Sequence, residues 1–328
     1  MNKFPTISVI IPVLNAGEIL PDCLKSIKDQ SYPQEKIEII VVDDNSEDNT
    51  LKVAKQYQAK TYTNGARNIE RGKSIGIEHA KGELLLFIDA DNQLIGKDWL
   101  SKTITAFVEN PKAIGAEAIW FKYKPHRPAT DRYCQLFGIN DPFPFYLDRQ
   151  DRLSFGEKKW NLKGKIVKET ENYYCLEFNA HNLPTVGSQG YLMRKKDILK
   201  TSWKPYFFHM DTHTEFLKPG EIQVIMVKQA IGHDHCDSVG SFLKKVTRNG
   251  KLFLQQDKQR SFKYSADNNL TPIIIAGLKC LSIVIPTFHA FKGYFRKKDL
   301  AWFLHPLLCF ATALIYGSLF IKWKLKKL

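Results

Sequence analysis

The sequence predicts an α/β fold, a mostly parallel sheet flanked by helices, followed by a C-terminal membrane-associated helical hairpin. Three observations carry that expectation. Short apolar runs alternate with stretches of helical periodicity through the first part of the chain, and such alternation builds βαβ units and a parallel sheet. Two of the apolar runs end in paired acids, Asp43-Asp44 and Asp89-Ala90-Asp91. Near the C-terminus, Leu300 to Ile321 carries no formal charge, and as a helix it spans roughly 30 Å of hydrocarbon.

The elements follow in order. Ile7 to Ile11 is a buried first strand, an apolar run stopped by Pro12. It lacks the long apolar core and small-residue cleavage site of a signal peptide. Ile19, Leu20, Cys23, Leu24 and Ile27 fall at helical spacing. Ile37 to Val42 is a second buried strand, and Asn49 or Thr50 caps the helix that continues through Gln56. Arg71 to Lys81 reads as a helix, Leu84 to Ile88 as a strand, Gly96 to Val108 as a helix and Ala113 to Phe121 as a strand. Beyond Phe121 the alternation lapses into an aromatic stretch with Tyr133, Phe137, Phe143, Phe145, Tyr146 and Trp160. Aromatic faces suit a cleft for a sugar or isoprenoid; a loop-rich insertion packed on the core is the equal alternative. Ile222 to Val227 is a late strand running towards Ile231-Gly232-His233-Asp234-His235.

Composition narrows the partners. The net charge is +14, from 48 Lys+Arg against 34 Asp+Glu, which favours an anionic partner. The basic residues flank apolar runs, as in Lys244-Lys245, Arg296-Lys297-Lys298 and Lys322, Lys324, Lys326 and Lys327. That placement favours a membrane surface over nucleic acid. Ser241 to Arg260 is basic with Phe242, Leu243, Val246, Leu252 and Phe253, and suits an amphipathic helix on an anionic bilayer. Ile273 to Phe291 is apolar except for Lys279 and His289, and Pro286 interrupts it. With Leu300 to Ile321 it forms the expected hairpin, though the basic loop from Lys292 to Lys298 conflicts with a simple two-span topology. A re-entrant or interfacial first segment resolves the conflict. The six cysteines are scattered with no C-x-x-C. This argues against a disulfide scaffold or zinc ribbon and fits a reducing compartment.

The chemistry lies at the strand ends. No G-x-G-x-x-G follows the first strand, and Gly72-Lys73-Ser74 lacks the earlier glycine of a P-loop, since position 67 is Arg67. Asp89-Ala90-Asp91 is a D-x-D, whose carboxylates can hold a hard divalent cation against a diphosphate. Four blocks then act together. Ile7 to Asn15, Val41 to Thr50, Gly76 to Glu83 and Leu85 to Asp91 resemble, in order and spacing, the donor half of family 2 glycosyltransferases.

The resemblance implies a GT-A fold and a nucleotide-diphosphate sugar donor, UDP-, GDP- or dTDP-linked. By position, Pro12, Val13, Asn15 and Glu18 would line the nucleoside pocket, and Asp43 and Asp44 would meet the base or ribose. Lys73 would face the donor. Asp89, with Ala90 beside it, would contact the ribose or sugar, and Asp91 would bind Mg²⁺ or Mn²⁺. The segment Leu183 to Arg194 resembles the family's glycine-containing stretch that closes on the donor sugar. His209-Met210-Asp211-Thr212-His213-Thr214-Glu215 stands where the family places its base. Asp211 is the first choice for the general base and Glu215, one helical turn later, the second. His233 and His235 point the same way from an extended strand; His233 is the better candidate to complete the metal shell.

The implied activity is inverting transfer of a sugar to a hydroxyl of a lipid-linked or cell-surface glycan precursor, at the cytoplasmic face of the cell inner membrane. The expected organisation is a catalytic domain over 1–240 (donor half to about 120, acceptor half beyond), a basic juxtamembrane segment over 241–268, and the hairpin and tail over 269–328. The chain lacks the Gln-x-x-Arg-Trp segment of processive synthases. A polyprenyl-phosphate sugar synthase is the nearest alternative, weakened because Asp91 runs into Asn92-Gln93-Leu94-Ile95-Gly96. A non-catalytic nucleotide-sugar-binding membrane protein is the alternative of another class.

Overall fold

The computed structural model describes residues 4–187, 189–218, 220–256, 260–263 and 269–327. Ser188 of the glycine-containing stretch, and 257–259 and 264–268 of the stretch expected to be juxtamembrane, lie outside the described residues. The chain forms two compact units. The first comprises 1–119, 164–180 and 186–233; the second comprises 120–163, 181–185 and 234–328.

The first unit is built on a ten-stranded mixed sheet among the described residues, in the order β3-β2-β1-β4-β9-β6-β10-β8-β7, with β5 paired to β10. The strands are β1 Ile7–Val13, β2 Ile37–Asp43, β3 Lys60–Thr63, β4 Leu84–Phe87, β5 Asn92–Leu94, β6 Ala113–Phe121, β7 Lys165–Glu169, β8 Tyr173–Phe178, β9 Tyr191–Arg194 and β10 Ile222–His233. β1 pairs in parallel with β2 and β4, and β2 with β3. β9 is antiparallel to β4 and β6, and β8 to β10 and β7. The parallel core expected from the sequence is therefore present, joined to an antiparallel half.

Every residue of β1 and β4 is buried, as parallel strands covered on both faces require. The covering helices are α1 Leu20–Lys28, α2 Thr50–Gln56, α3 Ile69–His79 and α4 Trp99–Val108. α1 turns Leu20, Cys23, Leu24 and Ile27 inwards and carries Asp22 in its first turn and Lys25 and Lys28 in its last, each charge matched to the helix dipole. α3 is capped by Asn68, whose side chain accepts from Arg71 N. It lies so close to β1 that a Cβ on Gly76 would stand 2.4 Å from Ile10 Cγ2. Gly82 approaches the β1 backbone just as tightly, donating its N–H to Ser8 Oγ at 2.7 Å.

In the second unit lie α5 Ala129–Phe137 and α6 Pro142–Tyr146. The short α7 Lys195–Ile198 and α8 His209–Phe216 belong to the first unit, and α9 Val239–Gln255, α10 Thr271–Leu281, α11 Val284–Arg296 and α12 Leu304–Lys327 to the second. Five of the six aromatics named after Phe121 thus lie on two short helices, with irregular chain around them. Tyr133 and Phe137 are 0% and 2% exposed and pack with Phe242, Val246, Trp302 and Leu308. Those rings are core, so the packed alternative describes them and the cleft does not.

A buried polar network threads this core. Tyr133 Oη lies 3.0 Å from His305 Nδ1, and Tyr146 Oη 3.0 Å from His305 Nε2 and 3.1 Å from His289 Nδ1. Asp299 accepts from Tyr123 Oη at 2.7 Å and from Arg132 Nε at 2.8 Å. Among the described residues one helix, Leu300–Leu325, is long and apolar enough to cross a membrane. The earlier apolar run is α10 and α11, bent by 70° at their junction, where Ile283 has φ +56°.

Candidate functional site

Because β1, β2 and β4 run parallel, their carboxyl ends share one edge, the edge at which open α/β sheets bind ligands. Val13 and Asp43 are register partners, and Asp44 N donates to Val13 O at 2.9 Å. Pro12 and Val13 are buried there, whereas Asn15 and Glu18 are exposed on the following loop. Asn15 adopts φ +49°, a conformation its side chain tolerates. Its N–H donates to Ser46 Oγ at 2.8 Å, and its Oδ1 accepts from Glu47 N at 2.9 Å. This holds the two strand-end loops together.

Asp43 is 3% exposed. Its Oδ2 accepts from Ser46 N at 3.1 Å, while its buried Oδ1 has no hydrogen-bond partner among the described residues. A buried carboxylate oxygen without a donor costs about 1–3 kcal/mol or more, so this atom is suited to a ligand hydroxyl or N–H. Asp44 Oδ1 is already taken by Arg67 N at 2.8 Å.

The third acidic group follows β4. Asn92 holds the turn, its N–H donating to Asp89 O at 3.0 Å and its Oδ1 accepting from Asp89 N at 3.1 Å. Ala90 is buried between the acids. β5 then pairs antiparallel with β10, placing Asn92 opposite His233. The pairing brings His233 Nε2 to 3.6 Å from Asp91 Oδ1, with side chains 3% and 16% exposed. An ion about 2.1 Å from each of two ligand atoms holds them roughly 3.0 Å apart at a right angle, and further apart at wider angles. Asp91 and His233 therefore fit a shared divalent cation. Burial, then the Asp91 and Asp89 carboxylates, push the nearby Cys23 thiol up, so it stays protonated. His235 lies beyond β10 in the second unit, its carbonyl accepting from Lys245 Nζ.

The predicted base lies on α8. Asp211 is in the first turn and partly exposed. Glu215 is spent on structure, since both its oxygens accept from Ser202 N at 3.1 Å. Beneath them are His209 and His213, 7% and 0% exposed. Burial, then the Lys73 ammonium and His213, drive the His209 pKa well below its usual value. Burial alone drives His213 down to about 3. Both His213 ring nitrogens lack hydrogen-bond partners among the described residues.

Sequence reasoning missed two participants. Glu117 sits in β6, 0% exposed, and accepts from Gly187 N at 3.2 Å. Gly187 has φ +113°, and a Cβ there would meet His209 Cβ at 2.9 Å. His209 and the glycine segment are thereby interlocked. The signal available for Glu117 was an acid within an otherwise apolar strand; for His209, only its place beside the predicted base.

Residues 8–163 match the family model described as glycosyl transferase family 2. The chain is 26% identical over 224 residues, 61% of its length, to a poly(ribitol-phosphate) beta-glucosyltransferase of Bacillus spizizenii. It is 32% identical over 139 residues, 40% of its length, to a glycosyltransferase of Haloferax volcanii. These matches span 32% and 45% of the relatives' own lengths. A solved mannosyltransferase of Pyrobaculum calidifontis, in complex with GDP-Man and Mn²⁺, superposes with a TM-score of 0.56 at 14% identity, covering 96% of this chain and 87% of the other. That similarity shows the GT-A fold.

Proposed function

From the match of residues 8–163 to glycosyl transferase family 2, we propose that the chain is a glycosyltransferase of that family and that it moves a sugar from a nucleotide-diphosphate donor to a hydroxyl of a lipid-linked or cell-surface glycan precursor, with inversion at the anomeric carbon. The observation that carries the reading is the pairing of Asp91 with His233 at the carboxyl end of β4.

In this proposal Pro12 and Val13 form the floor under the nucleoside, and the free oxygen of Asp43 accepts from the base or ribose. Asn15 and Glu18 line the rim, Asp44 holds the loop at Arg67, and Asp89 meets the ribose or sugar. Asp91 and His233 hold Mg²⁺ or Mn²⁺, which supplies charge neutralisation for the departing diphosphate. Lys73 adds positive charge from α3. Asp211 accepts the acceptor hydroxyl proton in line with the anomeric carbon. Glu215 keeps the 202 loop in place and Asp211 serves alone. Residues 1–240 form the catalytic part, 241–268 lie on the bilayer surface, and 269–328 hold the protein in the cell inner membrane with the site facing the cytoplasm. The bend between α10 and α11 supports a re-entrant first segment, which removes the conflict over the basic loop.

The test uses the full chain in detergent with UDP-, GDP- and dTDP-sugars, lipid extract from the source cells, and Mn²⁺, Mg²⁺ or EDTA. Metal-dependent nucleoside diphosphate release from one donor, lost in Asp91→Ala, is expected. A product on polyprenyl phosphate would favour the synthase alternative. Donor binding without turnover in the presence of the extract would favour the non-catalytic one.

A further inference from the structure

The sequence scatters its cysteines, but the fold brings Cys134 and Cys236 together. Cys134 near the end of α5, and His235 and Cys236 in the loop before α9, bring their ligand atoms within 4.8 Å of one another. Cys134 and Cys236 are 1% and 4% exposed. We propose that Cys134, His235 and Cys236 form a site for Zn²⁺ that clips α5 to the entry of α9.

The donor set argues for the ion. Two sulfurs and an imidazole are a soft set, which selects zinc over Mg²⁺ or Mn²⁺. Tetrahedral zinc with bonds of about 2.3 Å to sulfur and 2.0–2.1 Å to nitrogen holds its ligand atoms roughly 3.5–3.8 Å apart. Side chains already inside 4.8 Å need little movement to reach that spacing. The fourth position is left to water, as in a site with three protein ligands.

The surroundings fix the ligands. Asp131 Oδ1 accepts from Cys236 N at 2.8 Å, and Thr130 Oγ1 donates to Cys236 O at 3.1 Å. Lys245 Nζ donates to His235 O, and Arg127 Nε holds Asp131 at 2.6 Å. The loop backbone is thus clamped from α5 on one side and α9 on the other. Such outer partners orient metal ligands. The site also differs in chemistry from the Asp91–His233 pair, which offers oxygen and nitrogen only.

Binding is an acid–base exchange: Zn²⁺ displaces one proton from each thiol and bonds the two thiolates, releasing two protons. Apparent affinity therefore climbs as pH rises.

The experiment uses the full chain carrying Asp91→Ala, which silences the other candidate cation site. The protein is stripped with EDTA under reductant and titrated with Co²⁺, then with Zn²⁺. Expected are thiolate-to-cobalt charge-transfer absorption saturating at about one ion per chain, bleaching by zinc, and affinity that rises from pH 6 to pH 8. Cys134→Ser and Cys236→Ser should each abolish the absorption, and His235→Ala should weaken zinc binding at least tenfold. No charge-transfer band at one equivalent of Co²⁺ overturns the proposal. So does a Cys134–Cys236 disulfide in unreduced protein, or unchanged zinc affinity in His235→Ala. The readout is independent of any transferase activity.

Discussion

Acid should destabilise this protein through His213, and the size of the effect follows from its surroundings. The imidazole is fully buried and neither ring nitrogen has a hydrogen-bond partner among the described residues. Its pKa falls from 6.5 to about 3. The unfolded chain therefore takes up a proton near pH 6.5 that the folded chain refuses until about pH 3. Between those values the unfolded state binds more protons, so stability is full above pH 6.5 and drains as pH falls. With these two pKa values the loss from pH 7 to pH 5 is about 2 kcal/mol. For a domain of this size that corresponds to roughly 4–8 °C in Tm. Phenylalanine at this position fills a similar volume against the Tyr191 ring, whose centroid is 5.3 Å away, and cannot titrate. His213→Phe should therefore show a Tm drop between pH 7 and pH 5 smaller than the natural chain's by about that amount. Any packing cost of the larger ring cancels, because it is present at both pH values. Scanning fluorimetry on the intrinsic tryptophans, in one detergent and at constant ionic strength, reads the difference. Parallel Tm–pH curves for the two proteins would refute the assignment of a neutral, unpartnered His213.

Four further outcomes follow. His233→Ala should weaken Mn²⁺ activation and raise the metal concentration for half-maximal turnover at least tenfold, with donor binding in EDTA unchanged; an unaltered metal titration would remove His233 from the site. Asp211→Asn should lower kcat by about 10²–10⁴ with little change in donor KM, whereas Glu215→Ala should lower Tm by the loss of its contact to Ser202 N; the reverse pattern would exchange their roles. Gly82→Ala would put a Cβ 2.4 Å from Ser8 N, and overpacking against backbone should cost about 1–3 kcal/mol or more, read as a lower Tm and reduced yield. Truncation after Gln255 should yield aggregated protein, because Trp302 and Leu308 close the same core as Tyr133 and Phe137; a monodisperse soluble product would show the C-terminal helices to be a detachable anchor.

The parallel half of the sheet was legible because its physics is local. A strand covered on both faces must be apolar throughout, and Ile7 to Val13 or Leu84 to Phe87 can be read as such without knowing their neighbours. The acids at the ends of β2 and β4 were legible for the same reason: a carboxylate directly after a buried strand marks the edge where the chain meets solvent. His233 was harder. Its nearness to Asp91 depends on the antiparallel register of β5 with β10, a pairing between segments far apart in sequence. Only the resemblance to a family suggested a histidine there. Glu117 showed only as an acid within an apolar strand, and what it holds, Gly187, is a contact that periodicity does not encode.

The C-terminal helices show where a correct local reading of sequence stops. Length and apolarity identify Leu300–Leu325 as able to span a bilayer, and those two properties describe a helix against lipid. They do not describe a helix that also closes a protein core. Trp302, 1% exposed, packs on Phe137 at 4.6 Å between ring centroids, and His305 accepts or donates hydrogen bonds to tyrosines of α5 and α6. The aromatic stretch read equally as a cleft or as a packed insertion because aromatic side chains serve both purposes, and one sequence cannot say which face of Tyr133 is wet. The fold makes Tyr133 interior by giving it Phe242 and His305 as neighbours. A polar pair such as Tyr133–His305 is expensive to bury unless satisfied. Its burial therefore ties α12 to α5 in one register, and the helix that is apolar and long enough to span a bilayer is also part of a folded protein core.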